Sequence, residues 1–310
     1  METAELSDFQ ITGISIFSVL SVATAASNLL TIIAVFRCKR EFWSTAFVFI
    51  FVQAVADILI SCTVPILIYL TVDYSSLRSE QEWNFGKLVK NSNRICKMIF
   101  IPIIWHFFFS WTNIVLLTFD RLVAAGYPEA HEKSITKRWV GIACTFGLFI
   151  SMICTRFVIQ TMDTPCKHNQ CYTPDTMLAR TFSPATFKIA VLPCYFVIIV
   201  LFIVVLTEIP TYRRDHSWTK VKTLKMLAIL LLLFIIGWLP FLTVMLAYLS
   251  NLMPHEYIMK AFLCSFISIG FKCLTTPSAY LIGLHNFKVA LKQVYSCKKT
   301  RHVHYANVLL

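Results

Sequence analysis

Seven apolar stretches, each long enough to cross a bilayer, restrict this chain more than any other feature of its sequence. They run from about Ile11 to Phe36, Thr45 to Leu70, Ile95 to Ala125, Trp139 to Gln160, Pro184 to Leu206, Leu224 to Leu249 and Tyr257 to Leu284. A spanning helix needs about 20 mostly apolar residues. No water reaches backbone N–H and C=O groups in hydrocarbon, so each stretch is expected to satisfy its own backbone as a helix. The expected fold is an all-α membrane protein, a seven-transmembrane helix bundle. Composition agrees: 57% of residues are hydrophobic and 14% charged, where a soluble domain carries roughly 25% charged residues.

The first stretch follows ten residues bearing Glu2, Glu5 and Asp8, without the basic leader and small-residue cleavage site of a signal peptide, and is expected to remain as an anchor. Arg37, Lys39 and Arg40 flank its other end. The positive-inside rule then places the N-terminus outside and the C-terminus, seven crossings later, in the cytoplasm. On this topology nearly all of the +12 net charge faces the cytoplasm, where it suits anionic lipid or an acidic partner. The basic residues are divided among short loops rather than gathered in one stripe, which speaks against nucleic acid.

The expected division is residues 1–10 as an extracellular N-terminus, 11–285 as the seven-span domain, and 286–310 as a cytoplasmic amphipathic helix and tail. Phe287, Val289, Ala290, Leu291 and Val294 have the spacing of a short interfacial helix, with Lys288 and Lys292 on its wet side. Cys297, just beyond, is a candidate for palmitoylation.

Ordered fragments within the spans carry a family resemblance. Asn28 sits in Ser27-Asn28-Leu29-Leu30 in span one, and Asp57 in Ala56-Asp57-Ile58-Leu59 in span two. Asp120-Arg121-Leu122 closes span three, and Pro128 follows in the next loop. Pro193 lies in span five, Phe234 precedes Trp238-Leu239-Pro240 in span six, and span seven ends Thr276-Pro277-Ser278-Ala279-Tyr280, with Phe287 seven residues later. In this order and register the chain resembles the rhodopsin-like (class A) G-protein-coupled receptors over essentially its whole length, as a divergent member.

The resemblance implies a plasma-membrane receptor that binds an extracellular ligand among its helices and activates a heterotrimeric G protein. It implies that Asp120, Arg121, Pro128, Phe234, Trp238, Pro240, Thr276, Pro277 and Tyr280 belong to the coupling and activation machinery, with Arg121 paired to Asp120 at rest. It also implies a disulfide from Cys96 to the second outer loop, with Cys171 as partner or Cys166 as the alternative. Ile103 stands where amine receptors carry an aspartate, so the ligand is expected to be a small molecule or peptide other than a biogenic amine. Ile103, Ile104 and Phe107 with Trp238 are expected to form an apolar pocket floor.

Several positions depart from the family pattern. Leu122 stands for tyrosine, Thr276 for asparagine, Leu201 for the tyrosine of span five, and Lys220 for the acid at the foot of span six. The resting restraint on Arg121 is therefore in question, and some basal signalling is expected. Lys272, five positions before Pro277, is the most unusual residue. A charge at mid-span costs about 2.5–3.5 kcal/mol on insertion scales and needs a partner. By resemblance, Asp57 and Ser110 line the polar cavity that holds a sodium ion in this family, with Asn28 nearby and with His106 and Lys272 beside it. The Lys272 ammonium is expected to replace that sodium and pair with Asp57. A retinal Schiff base would fall on Gly270 by register, about 200° around the helix from Lys272.

No metal-ligand spacing, Gly-rich phosphate loop or nucleophile with a suitably placed His and acid is evident, so no enzyme activity, metal or cofactor is expected. Two other classes share the span pattern: a transporter or channel, which would commonly show internal repeats, and a non-signalling seven-span decoy.

Overall fold

The computed structural model describes residues 8–37, 45–76, 93–135, 137–160, 184–214, 217–249, 252 and 255–296. These residues form nine helices and no strand. They are α1 (Asp8–Arg37), α2 (Thr45–Ser76), α3 (Asn93–Gly126), α4 (Pro128–Ser134), α5 (Lys137–Gln160), α6 (Pro184–Arg214), α7 (Trp218–Leu249), α8 (His255–Gly283) and α9 (His285–Ser296). The seven long helices coincide with the seven apolar stretches. Among the described residues, α1, α2, α3, α5, α6 and α7 are long and apolar enough to cross a membrane by length and composition. The seventh, α8, carries Lys272 and packs along both α7 and α1.

The helices close into a ring, because α1 touches both α2 and α8, while α3 runs through the middle against α2, α5, α6 and α7. Burial follows from this placement. In α3 the apolar span is 67% buried, and in α6 it is 22% buried, so α3 can carry polar groups that α6 would have to expose to lipid. The outward faces of α5 and α6 present Phe146, Phe149, Phe196 and Ile203, the surface that hydrocarbon solvates without cost. The inward faces bury Phe47, Phe49, Phe108, Phe234 and Trp238.

Two short helices finish the bundle. Pro128 opens α4 at its first turn, where a missing N–H is harmless; Glu129 lies in that turn and His131 and Lys133 in the last, each complementing the helix dipole. After a single break at Leu284, α9 turns back onto α1 and α8. Phe287 and Ala290 are buried while Lys288 and Lys292 are exposed, the two-faced pattern expected from sequence. Phe287 meets the Tyr280 ring edge-on at 6.0 Å between centroids.

Candidate functional site

A buried polar cluster occupies the centre of the bundle, where α2, α3 and α8 meet. Gln53 and Asp57 lie one turn apart on α2, and His106, Ser110 and Asn113 follow at i, i+4 and i+7 on α3, so each set shares one helix face. Asp57 Oδ1 is the meeting point. It accepts from Gln53 Nε2 at 2.8 Å and from His106 Nε2 at 2.8 Å, and Lys272 Nζ lies 3.4 Å away. A carboxylate only accepts, so the His106 proton in this contact sits on Nε2. Gln53 Nε2 also reaches Ser110 Oγ at 2.9 Å, and Asn113 Nδ2 donates to Gln53 Oε1 at 3.0 Å. Asp57 and His106 are wholly buried and Lys272 is 5% exposed. Opposite charges this deep need one another, because removing one leaves the other uncompensated.

The same cluster has a metal-like donor spacing, since one ligand atom each from Asp57, His106 and Cys273 lie within 4.8 Å of one another. The Lys272 ammonium stands among them, 3.4 Å from Asp57 Oδ1 and 4.0 Å from Cys273 Sγ. A free cation would have to displace it. Among the described residues, Asp57 Oδ2 and His106 Nδ1 are buried without a hydrogen-bond partner.

Two prolines determine how the surrounding helices are tied together. Pro240 has no N–H, so the Ile236 carbonyl four residues earlier loses its helical partner; the Ser268 hydroxyl donates to it from α8 at 3.2 Å. Pro277 likewise frees the Cys273 carbonyl, and Asn28 Nδ2 donates to it from α1 at 3.2 Å while also donating to the Thr24 carbonyl at 3.0 Å. Tyr195 adds a third tie, its hydroxyl donating to the Ile235 carbonyl at 2.7 Å.

Trp238 lies beside this cluster, fully buried. Phe107 meets it edge-on at 4.9 Å, Phe241 at 5.8 Å, and the His106 ring lies 5.9 Å away. Phe234 is 6.3 Å from it. Ile103 and Trp238 line a narrow cavity of about 20 Å³ with Phe17, Ile60, Phe266 and Cys273. The two other residues expected at a pocket floor are elsewhere: Ile104 is buried in the core, and Phe107 packs between Phe108, Phe234 and Trp238. The cavity lies among α1, α2 and α8, with Ile103 of α3 and Trp238 of α7 completing its wall.

A second cluster closes the opposite end of α3. Arg121 donates to Asp120 Oδ2 through Nε at 2.7 Å and through Nη2 at 2.5 Å. Thr45 donates to the same oxygen at 2.8 Å and accepts from Arg121 Nη2. His131, which α4 delivers, lies with Nε2 2.9 Å from Asp120 Oδ1. Pro128 contributes by starting α4. Lys220, standing where an acid was expected by resemblance, donates to the Ala125 carbonyl at the end of α3 at 2.7 Å and lies 5.1 Å from the centre of the Tyr212 ring. α7 and α3 are thus joined at this end without an acid. Thr276 and Tyr280 are buried in α8.

Residues 27–280 match the sequence profile of a family described as 7 transmembrane receptor (rhodopsin family). The chain belongs to this family. The receptor is accordingly a multi-pass membrane protein with a signalling role, in a family that couples extracellular ligands to G proteins. The match takes in both clusters, from Asn28 to Tyr280, and leaves α9 outside it.

The receptor's Cys166, Cys171 and Cys297, and the side chain of Cys96, lie outside the described residues, as do the two outer loops. Gln53, Asn113, Thr45, His131, Ser268 and Gly237 are functional candidates that the sequence reading passed over. For Gln53 and Asn113 a signal existed: each is a polar residue one helical turn from Asp57 or Ser110 in an otherwise apolar span. For Thr45 and His131 there was none, since their partner Asp120 is brought to them only by packing.

Proposed function

We propose that the receptor, with its N-terminus outside and its C-terminus cytoplasmic, binds a ligand among the outer halves of its helices and activates a heterotrimeric G protein at its Arg121 end. The observation that supports this most is the unbroken line of contacts from the cavity through Trp238 to His106, and from there to Asp57 and Lys272. A ligand that reaches Trp238 can act on α7 beside Pro240, where the missing N–H loosens the helix, and so on where the Lys220 foot of α7 stands relative to α3. The cavity itself has room for about one water-sized group, so it marks the level of Trp238 rather than the ligand's volume; Ile103 offers no anion there to hold an amine.

Within this reading Lys272 supplies the positive charge at Asp57 that a sodium ion supplies in the wider family. The ammonium is covalently tethered and sits within reach of the carboxylate, so its local concentration exceeds that of any free ion. The activity of the receptor is then insensitive to sodium.

The deciding experiment compares G-protein activation in cells expressing the wild type or Arg121→Ala at matched surface levels, across a panel of G-protein subtypes. Basal activation that vanishes in the mutant is the expected result and names the transducer. Silence from both proteins would leave a ligand-dependent receptor or a non-signalling decoy, which exposure to ligands then separates; equal non-zero output would contradict a role for Arg121.

A further inference from the structure

Gly237 lies in α7 immediately before Trp238, facing the stem of Lys272. A Cβ placed on Gly237 would stand 2.6 Å from Lys272 Cβ and 2.9 Å from its Cγ. Real Cβ atoms do not tolerate such distances, and a rotamer change offers no escape because Lys272 Cβ is fixed by the α8 backbone. Only a parting of α7 from α8 by roughly an ångström would restore ordinary contact. The absent side chain of Gly237 is therefore the space occupied by the base of the lysine stem. One turn earlier on α8, Ser268 holds the Ile236 carbonyl at 3.2 Å, so the α7–α8 spacing at this level is set twice over, by a hydrogen bond and by a size-matched contact.

We propose that Gly237 is the positioning residue for the Lys272 ammonium, and that by fixing how deeply the ammonium sits it keeps free monovalent cations away from Asp57. The proposal rests on the reading of Lys272 as a built-in cation. Its margin is narrow: Nζ is already 3.4 Å from Asp57 Oδ1. A shift of about one ångström, the parting that a Cβ would demand, takes the ammonium out of contact. Asp57 would then keep Gln53 and His106 as donors, with Oδ2 still unpartnered. A buried carboxylate beside the Ser110 hydroxyl is an oxygen-rich site of the kind hard cations select. The contact also lies within one turn of the α7 proline, since Gly237 is three residues before Pro240.

The test is the thermal stability of the purified full-length receptor in detergent, measured in sodium chloride and in choline chloride at equal ionic strength. A cation that binds only the folded protein raises Tm with its concentration. The wild type is expected to show no sodium-dependent shift, whereas Lys272→Met gains one of about 2 °C or more. Gly237→Ala, with Lys272 still present, is expected to gain a shift of the same sign. If Lys272→Met responds to sodium and Gly237→Ala does not, Gly237 does not position the ammonium, although the built-in cation stands. If Lys272→Met is silent, or the wild type itself responds, the built-in cation fails and takes this proposal with it. Should Gly237→Ala not reach the membrane, it is placed in the background Asp57→Asn with Lys272→Gly, which strands no buried charge and lacks both crowded stem atoms; Gly237→Ala is expected to cost no surface expression there, and a loss as large as in the wild-type background overturns the contact.

Discussion

Asn28 Nδ2 donates at 3.2 Å to the Cys273 carbonyl, the group that Pro277 deprives of its helical partner. A family-position asparagine thereby acquires a plain physical task, which is to satisfy a backbone acceptor in a medium without water. Replacing it by leucine leaves that carbonyl bare, a loss of about 1–3 kcal/mol for a buried unsatisfied group. Ser268→Ala frees the Ile236 carbonyl in the same way, but Ser268 bonds on an exposed flank and its loss is expected to be smaller. Thermal unfolding of the two purified variants checks the order; an equal or larger drop for Ser268→Ala would show that the carbonyl freed by Pro277 finds another partner.

Asp57 and Lys272 should behave as a unit. Lys272→Met alone strands a buried carboxylate, and Asp57→Asn alone strands a buried ammonium; breaking a buried pair in this way costs about 3–5 kcal/mol. The double variant removes both charges and should recover most of the loss. In choline-based buffer, where no small cation can substitute, surface expression and Tm are expected to be higher for the double variant than for either single one. Additive losses would mean that Lys272 finds its compensation elsewhere.

How much of this was legible in the sequence depended on the range of the forces involved. The seven spans and the amphipathic α9 follow from local periodicity and length, so they could be read directly; α4 could not, because seven residues opened by Pro128 in an expected loop are too short to show a period. The Asp57, His106, Ser110 and Lys272 set was legible because each residue is polar where lipid forbids it, and such groups must converge. Gly237 was not legible, because its significance is an absence that matters only once α8 is laid against α7. Lys220 was identified as a departure from the family pattern, but its partner is a backbone carbonyl of Ala125, and a carbonyl leaves no mark in a sequence. For the pocket floor, helix register places Ile103, Ile104 and Phe107 on α3 without saying which neighbouring helix leaves a gap beside them.

Lys220 is expected to restrain the resting receptor. Its ammonium reaches the Ala125 carbonyl at 2.7 Å, one residue from the end of α3, where the helix dipole favours a cation by about 0.3–1 kcal/mol. The Tyr212 ring, on α6, lies 5.1 Å from the same ammonium. Lys220→Met keeps the stem and removes the charge, so the foot of α7 is released from α3. Basal G-protein activation at matched surface levels should rise by a few-fold, in line with about 1 kcal/mol of lost restraint. Unchanged basal output would assign Lys220 to packing alone.

Thr45 offers the last test, because a single hydroxyl on α2 both donates to Asp120 Oδ2 and accepts from Arg121 Nη2. Thr45→Val preserves its shape and removes both bonds. Asp120 retains His131 and Arg121 as partners, so the fold should survive, and purified Tm should fall only slightly. Arg121 loses the contact that holds it toward α2 and becomes freer to leave Asp120. Hydrogen bonds to charged groups contribute about 1.5–3 kcal/mol, part of which Arg121 recovers by staying with Asp120, so basal nucleotide exchange should rise about three- to tenfold. The rise should disappear when Arg121→Ala is added to Thr45→Val. If it persists, the gain comes from loosened α2 packing rather than from a released Arg121.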